Sequence, residues 1–382
     1  MRVLFTVAAI ALALSGCQQQ PSEPAAVAPT PAVVPARRAP VVPTANEQFS
    51  PAITAEDFAA RLKKLASDSF EGRQPGTLGE RMTTTWIKDQ FERIGLQPGN
   101  QGSWYQTVPM METTLVEPEK SKLRVHSGDS TFDLSLGSEV VFGSLDASPQ
   151  VDLKDSGIVF VGYGVNAPGQ NWNDYAGIDV KGKTVIVLVN DPGWGNQDPD
   201  LFGGRALTYF GRWTYKYEEA ARQGAAAAFI VHEDGGAGYP WSVVENGWTG
   251  PQAALPPTRD GGPRLQTGGW LTTAAAERLF AAAGQDFLAL KKSADLRGFQ
   301  PSVLDASLSL NYRSKVDNGS SENVIGYLKG STRPDEVIVY TAHWDHLGMH
   351  TQLKDDPIFN GAIDNASGVA AIMEIAEAFA NQ

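Results

Sequence analysis

Three of the five histidines, His343, His346 and His350, fall within eight residues of one another, and His343 closes a stretch that opens with the apolar run from Val337 to Tyr340. In an open α/β sheet, ligands gather outside the carboxyl ends of the strands, which is where His343 falls. Asp345, two residues on, can accept a hydrogen bond from the imidazole N–H that faces away from a metal, fixing the tautomer and raising the basicity of the ring. Asp364 follows His343 by 21 residues, in the string NGAIDNASGVA. Asn365 or Ser367 then caps a helix whose apolar face is Val369, Ile372, Met373, Ala376 and Phe379. A strand-end imidazole and a carboxylate in the loop before a helix make a good pair of metal ligands. An isolated His-x-Asp, by contrast, is more often a satisfied core histidine, with the later aspartate serving as a helix cap.

The elements that must hold this pair begin near Ile53. Phe58, Leu62 and Leu65 recur at helical spacing between Ala55 and Ala66, with Thr54 placed as N-cap. After a loop over residues 67–79, a second amphipathic helix carries Met82, Trp86, Ile87, Phe91 and Ile94, and Gly95 and Pro98 stop it. From Tyr105 to Ile158 the pattern is short and alternating, as strands are. Residues 157–165, 184–189 and 225–231 are apolar, β-rich runs, and a helical stretch near Tyr217 to Arg222 lies between the last two.

Gly177, Gly182, Lys183 and Thr184 satisfy the spacing GxxxxGK[ST] of a phosphate-binding loop. Such a loop works when its amides open a helix, yet Val185 to Val189 reads as a strand. The string is therefore a tight turn before a strand, and nucleotide is not an expected ligand. The aromatic group Tyr209, Phe210, Trp213, Tyr215 and Tyr217 could line a cleft, but such clusters more often pack a core. His126 and His232 read as ordinary polar residues.

The N-terminus has its own logic. Met1 and Arg2 precede a twelve-residue apolar run, Val3 to Leu14, which is too short to cross a bilayer as a helix. With Ser15, Gly16 and Cys17 it describes an export signal. Residues 18–51, with eight prolines and seven alanines, cannot bury enough surface to offset ordering entropy and read as an extended tether. Across all 382 residues, acidic side chains outnumber basic ones 43 to 31 for a net charge of −12. That sign removes nucleic acid as the default partner. One cysteine permits neither an intramolecular disulfide nor a cysteine-rich zinc knuckle, so a metal site must use histidine and carboxylate.

Several strings resemble known families. Leu14, Ser15, Gly16 and Cys17 resemble the bacterial lipobox, which implies acylation of Cys17, an outer-membrane or periplasmic location, and membrane contact through lipid alone. FVGYGVNAPGQNWNDYAGIDVKGKTVIVLVNDPG and GRWTYKYEEAARQGAAAAFIVHE resemble the protease-associated domain, a non-catalytic insert of exported peptidases. YTAHWDHLG and FNGAIDNASGVA, in this order and separation, closely resemble the dizinc aminopeptidase family, whose relatives include glutamate carboxypeptidases and the transferrin receptor. LASDSFEGRQPGTLGE and FERIGLQP fit the same group, so the likeness spans roughly residues 55 to 382.

The resemblance implies an α/β fold: an incomplete zinc-peptidase α/β sandwich with an inserted β-rich protease-associated domain. The implied organisation is a signal at 1–17, a tether at 18–51, N-terminal helices at 52–115, the insert at 116–302 and the first part of the catalytic domain at 303–382. It further implies that His343 binds one of two zinc ions, that Asp364 bridges both, and that Asp345 supports His343. His346 and His350 have no ligand role in it. The expected activity is release of N-terminal amino acids from peptide substrates, with dipeptidase, carboxypeptidase or a non-catalytic binding module as alternatives. No GxSxG string suggests a serine hydrolase.

The family also supplies a Glu-Glu pair holding the catalytic base, then an aspartate and a histidine, and none of these follows Asp364 here. Glu374 and Glu377 lie inside the next helix, Glu374 pointing away from its apolar face. With one histidine and one shared aspartate offered where zinc needs about four ligands, this chain is expected to be inactive or very weakly active, its catalytic domain being incomplete.

Overall fold

A computed structural model describes residues 2–8, 49–196, 198–257, 261–350 and 355–382, with backbone alone for residues 2–8. It is α/β and divides into two compact units, one of residues 1–109 and 319–382, the other of residues 110–318.

The first unit opens with the helix Ala55–Leu65, where Thr54 Oγ1 accepts a hydrogen bond from the Asp57 amide at 3.1 Å. A 3-10 turn, Asp68–Arg73, leads to the helix Leu78–Ile94, which Gly95 ends in the left-handed conformation at φ 91°. A side chain there would meet the steric penalty that glycine escapes. The strand Ser302–Leu328 enters this unit at residue 319, and Gln97–Pro98 pairs antiparallel with its residues Gly326 and Tyr327.

Arg2–Ala8, inside the run read as an export signal, forms a strand between two others. It pairs antiparallel with residues 324–328 and parallel with Val337–His343, Ala8 standing opposite His343. Cys17 and the tether up to residue 48 lie outside the described residues.

The helix Ser367–Ala380 completes this unit. Val369, Ile372, Met373 and Ala376 join Leu65, Phe70, Trp86, Ile87, Phe91, Val324, Ala342 and Trp344 in one buried cluster. Burying each large side chain contributes about 1.5–3 kcal/mol, and the cluster ties helices near both ends of the chain to the strand that carries His343.

In the second unit the strands Gln150–Phe160, Thr184–Leu188, Ala227–His232 and Thr267–Thr272 lie side by side and parallel, with Val140–Ser144 antiparallel at the end of the row. All five residues of Thr184–Leu188 are buried, as a parallel strand covered on both faces requires. Gly182, at φ 70°, makes the turn into it, so the GxxxxGK[ST] string opens a strand and no helix. Helices Trp213–Arg222 and Thr273–Ala282 pack on this sheet. Of the aromatic group, Tyr215 and Tyr217 are buried whereas Tyr209 and Trp213 are nearly half exposed.

Lys216, on the first of these helices, is fully buried and donates from Nζ to the carbonyls of Tyr163 and Phe210 at 2.6 and 2.8 Å. Asp174 is buried near it and accepts from the Val165 amide and Trp172 Nε1 at 2.9 and 2.7 Å. Burial lowers the Lys216 ammonium to about 7, against the pull of Asp174 and Asp191, and raises the Asp174 carboxyl to about 7.

Candidate metal centre

His343 is the last residue of the strand Val337–His343. Its Nδ1 faces Asp345, 3.1 Å from the backbone carbonyl and 3.3 Å from Oδ1. A proton shared with those acceptors fixes the tautomer that leaves the Nε2 lone pair free, and Nε2 lies 3.0 Å from Asp364 Oδ1. In the metal-free chain the hydrogen bond to Asp345 raises the His343 pKa against burial, and the charges of Asp345 and Asp364 add to it. A metal bound at Nε2 must displace the second proton, the one that the raised pKa favours on Nε2, while Nδ1 keeps its own.

Asp364 reaches this point from a loop whose end is fixed at the next helix. The Asp364–Asn365 peptide is cis. Asn365 Oδ1 accepts from the Gly368 amide at 3.0 Å while Ser367 Oγ donates to the Ile363 carbonyl at 2.7 Å. Asn365, not Ser367, is therefore the side chain that caps Ser367–Ala380.

The other two histidines of the cluster part company. His346 Nδ1 sits 3.6 Å from Asp364 Oδ2, and burial lowers its pKa against the attraction of Asp364. The sequence signal for this was its three-residue separation from His343; its proximity to Asp364 was not legible. The His350 ring lies 4.7 Å from the Phe359 ring, centroid to centroid and tilted by 56°, beside the short pairing of Gly348–Met349 with Ile358–Phe359. His126 meets Thr131 Oγ1 at 3.1 Å, and His232 meets the Tyr239 carbonyl at 3.0 Å.

Glu374 is corrected. Placed on the solvated side by periodicity, it is only 3% exposed, and its Oε1 accepts from Arg61 Nε at 2.6 Å. Glu377 pairs with Arg61 and with Arg93, the latter at 2.8 Å. The helix Ser367–Ala380 is covered on its acidic side by the helix Ala55–Leu65, and the buried Arg61 replaces solvent for both carboxylates. Neither glutamate faces His343.

Arg73, which carried no signal beyond its place in the string FEGRQPG, is 1% exposed. Its Nε donates to the Trp344 carbonyl at 2.7 Å, Nη1 to Leu65 and Asn360 at 2.6 Å each, and Nη2 to Gly361 at 2.8 Å. Its own carbonyl accepts from the His346 amide at 3.2 Å.

An imidazole and a carboxylate bound to one tetrahedral zinc at about 2.0–2.2 Å stand roughly 3.3 Å apart. The 3.0 Å between His343 Nε2 and Asp364 Oδ1, with Nδ1 braced by Asp345, fits two of the four places of such a site. Among the described residues no group of three or more His, Cys, Asp or Glu side chains is arranged to hold a metal ion, so the donor set fits in kind and falls short in number.

Residues 323–382 match the model of peptidase family M28. No curated protein matches the chain. Solved structures that it is similar to include an aminopeptidase from Aneurinibacillus sp. strain AM-1, at 19% identity and a TM-score of 0.42, covering 86% of this chain and 59% of that one. A zinc aminopeptidase from Bacillus subtilis, BSAP, is 18% identical with a TM-score of 0.34, covering 87% of this chain and 59% of its own. The chain thus spans 59% of the length of either structure. The segment that matches the peptidase family M28 model, residues 323–382, is the one that holds His343, Asp345 and Asp364.

Proposed function

We propose that the unit of residues 49–109 and 319–382 is the metal-binding part of a zinc-dependent exopeptidase of the aminopeptidase type, which releases N-terminal amino acids from peptides. One observation carries this reading: His343 Nε2 and Asp364 Oδ1 converge to 3.0 Å at a strand end, inside the segment that matches peptidase family M28. His343 would hold one zinc through Nε2 and Asp364 would bridge two. Zinc bound there lowers the pKa of water and polarises a carbonyl. Asp345 keeps the Nδ1 proton and orients the ring, while His346 and Arg73 border the Asp364 loop.

The described residues supply two of about four donors, and the one further carboxylate that the site brings up, Asp345, is engaged with His343 Nδ1. The described chain is accordingly inactive or very weakly active as a hydrolase. Residues 116–302, with their protease-associated strings, are a non-catalytic insert, and Cys17 is the lipid attachment that holds the exported protein on the outer membrane or in the periplasm.

The test is amino-acid release from free-amine and N-blocked peptides, with zinc titrated by competition against a fluorescent chelator. Zinc binding lost in His343→Ala, with negligible release of amino acid, supports the reading. Release from N-blocked peptides points to a dipeptidase or carboxypeptidase. Equal zinc binding by the parent chain and His343→Ala sinks it.

A further inference from the structure

Arg73 spends its guanidinium on four carbonyls. Two of them, those of Asn360 and Gly361, lie in the loop that delivers Asp364; a third, that of Trp344, sits between His343 and Asp345. The fourth, that of Leu65, ends the helix Ala55–Leu65 and anchors the assembly to the core. Four of the five donors of a rigid planar fork are thereby fixed to three separate segments. The chain around Arg73 bends to aim it: Glu71, Gly72 and Arg73 have φ of 49°, 66° and 54°. Left-handed backbone costs roughly 1–2 kcal/mol at a non-glycine residue, so Glu71 and Arg73 hold this shape against their own preference. Gly72 is confined as well, since a Cβ there would stand 2.3 Å from the Gly348 carbonyl oxygen and 2.7 Å from that of Phe359.

We propose that Arg73 is a positioning residue of the metal site: its four-carbonyl clamp sets the separation of His343 and Asp364. The proposal rests on the zinc reading above. A buried guanidinium that meets carbonyls costs free energy that an apolar side chain of similar volume avoids. The compensation is geometric, because no apolar residue can join the His343 loop and the Asp364 loop through one rigid group. Lysine cannot copy it either, since its donors radiate from a single nitrogen.

The experiment compares the full chain with Arg73→Met, Arg73→Lys and Phe91→Leu, the last a core change in the same buried cluster that leaves the two loops untouched. Hydrogen exchange of peptides covering residues 343–346 and 359–366 is followed without metal, and zinc affinity by chelator competition. Arg73→Met speeds exchange in both segments and weakens zinc binding about 10–100-fold, the range seen when a ligand's supporting contact is removed. Arg73→Lys falls between it and the parent, which keeps the test open if Arg73→Met fails to fold. Phe91→Leu lowers the melting temperature and changes zinc affinity less than about threefold, within the scatter expected of an uncoupled site. Unchanged exchange in Arg73→Met, unchanged zinc affinity despite faster exchange, or an equal loss of affinity in Phe91→Leu each overturns the proposal. Failure of the zinc reading looks different: the parent chain and His343→Ala then bind zinc alike, whereas failure of the clamp leaves those two apart.

Discussion

Arg61 and Glu374 meet across 313 residues of chain, Nε to Oε1 at 2.6 Å, with neither side chain more than 2% exposed. Glu377 shares the same guanidinium, whose central carbon lies 3.9 Å from the centroid of the Phe49 ring. Removing one partner of a buried pair leaves an uncompensated charge, which costs about 3–5 kcal/mol, while replacing the pair by apolar groups is often neutral. Arg61→Met should therefore destabilise the first unit by that amount, and Arg61→Met with Glu374→Met should recover part of it. Urea unfolding of the parent, Arg61→Met, Glu374→Met and the double variant measures both; additive losses would show that the pair is not coupled.

Within the candidate centre, His343 and His346 both approach Asp364, at 3.0 and 3.6 Å. Only His343 presents a nitrogen whose opposite partner is braced by a carboxylate. His343→Ala is expected to weaken zinc binding at least tenfold and His346→Ala less than about threefold, since orientation by a supporting carboxylate is itself worth one to two orders of magnitude. Zinc at 100 times its dissociation constant should stabilise the parent by about 2.7 kcal/mol and leave His343→Ala nearly unmoved. A larger loss in His346→Ala would reassign the ligand.

Much of the frame around this site was legible because it rests on local rules. Thr54 caps a helix, Gly95 ends one, and apolar residues at helical spacing from Leu65 to Ile94 and from Val369 to Ala376 are the ones found in the core. His343, Asp345 and Asp364 were legible as types at a spacing, and they converge. Glu374 was misplaced because periodicity assumes a single covered face and cannot see Arg61 arriving from a helix some 313 residues earlier. Arg73 was invisible for a related reason. Its partners are backbone carbonyls, which every sequence has, so nothing in residue type marks them.

Arg2–Ala8 poses a question of processing. If Cys17 becomes the mature N-terminus, this strand leaves the sheet, and residues 324–328 and 337–343, which it now joins, face each other across a strand-wide gap of roughly 10 Å. Each lost backbone hydrogen bond removes about 0.5–1.5 kcal/mol net, and the exposed edges invite pairing with other chains. A chain beginning at Gln18 should exchange amides in both segments at least tenfold faster than the full chain, and should self-associate more readily. Equal protection in the two forms would mean that the strand adds nothing to the sheet, which would remove the conflict with an export role.

The second unit should be least stable near neutral pH. Asp174 titrates near 3.8 when unfolded and about 7 when folded, because burial penalises its charge. The folded form holds the proton longer, so its contribution is fully present below pH 4 and is lost as pH rises towards 7. Lys216 runs the other way. Its folded pKa is lowered from 10.5 to about 7, again by burial, so between those values the unfolded state binds more protons and stability rises with pH. Each pKa unit corresponds to about 1.4 kcal/mol, which makes roughly 5 kcal/mol an upper bound for either limb. Hydrogen exchange of the strand Thr184–Leu188, corrected for intrinsic rates, should show a protection minimum near pH 7. Lys216→Met should flatten the alkaline limb alone and Asp174→Asn the acidic limb alone, because each removes one of the two titrations that shape the curve. A parent profile that rises steadily from pH 4 to 10, or a single variant that flattens both limbs, would show that the two buried charges do not govern it.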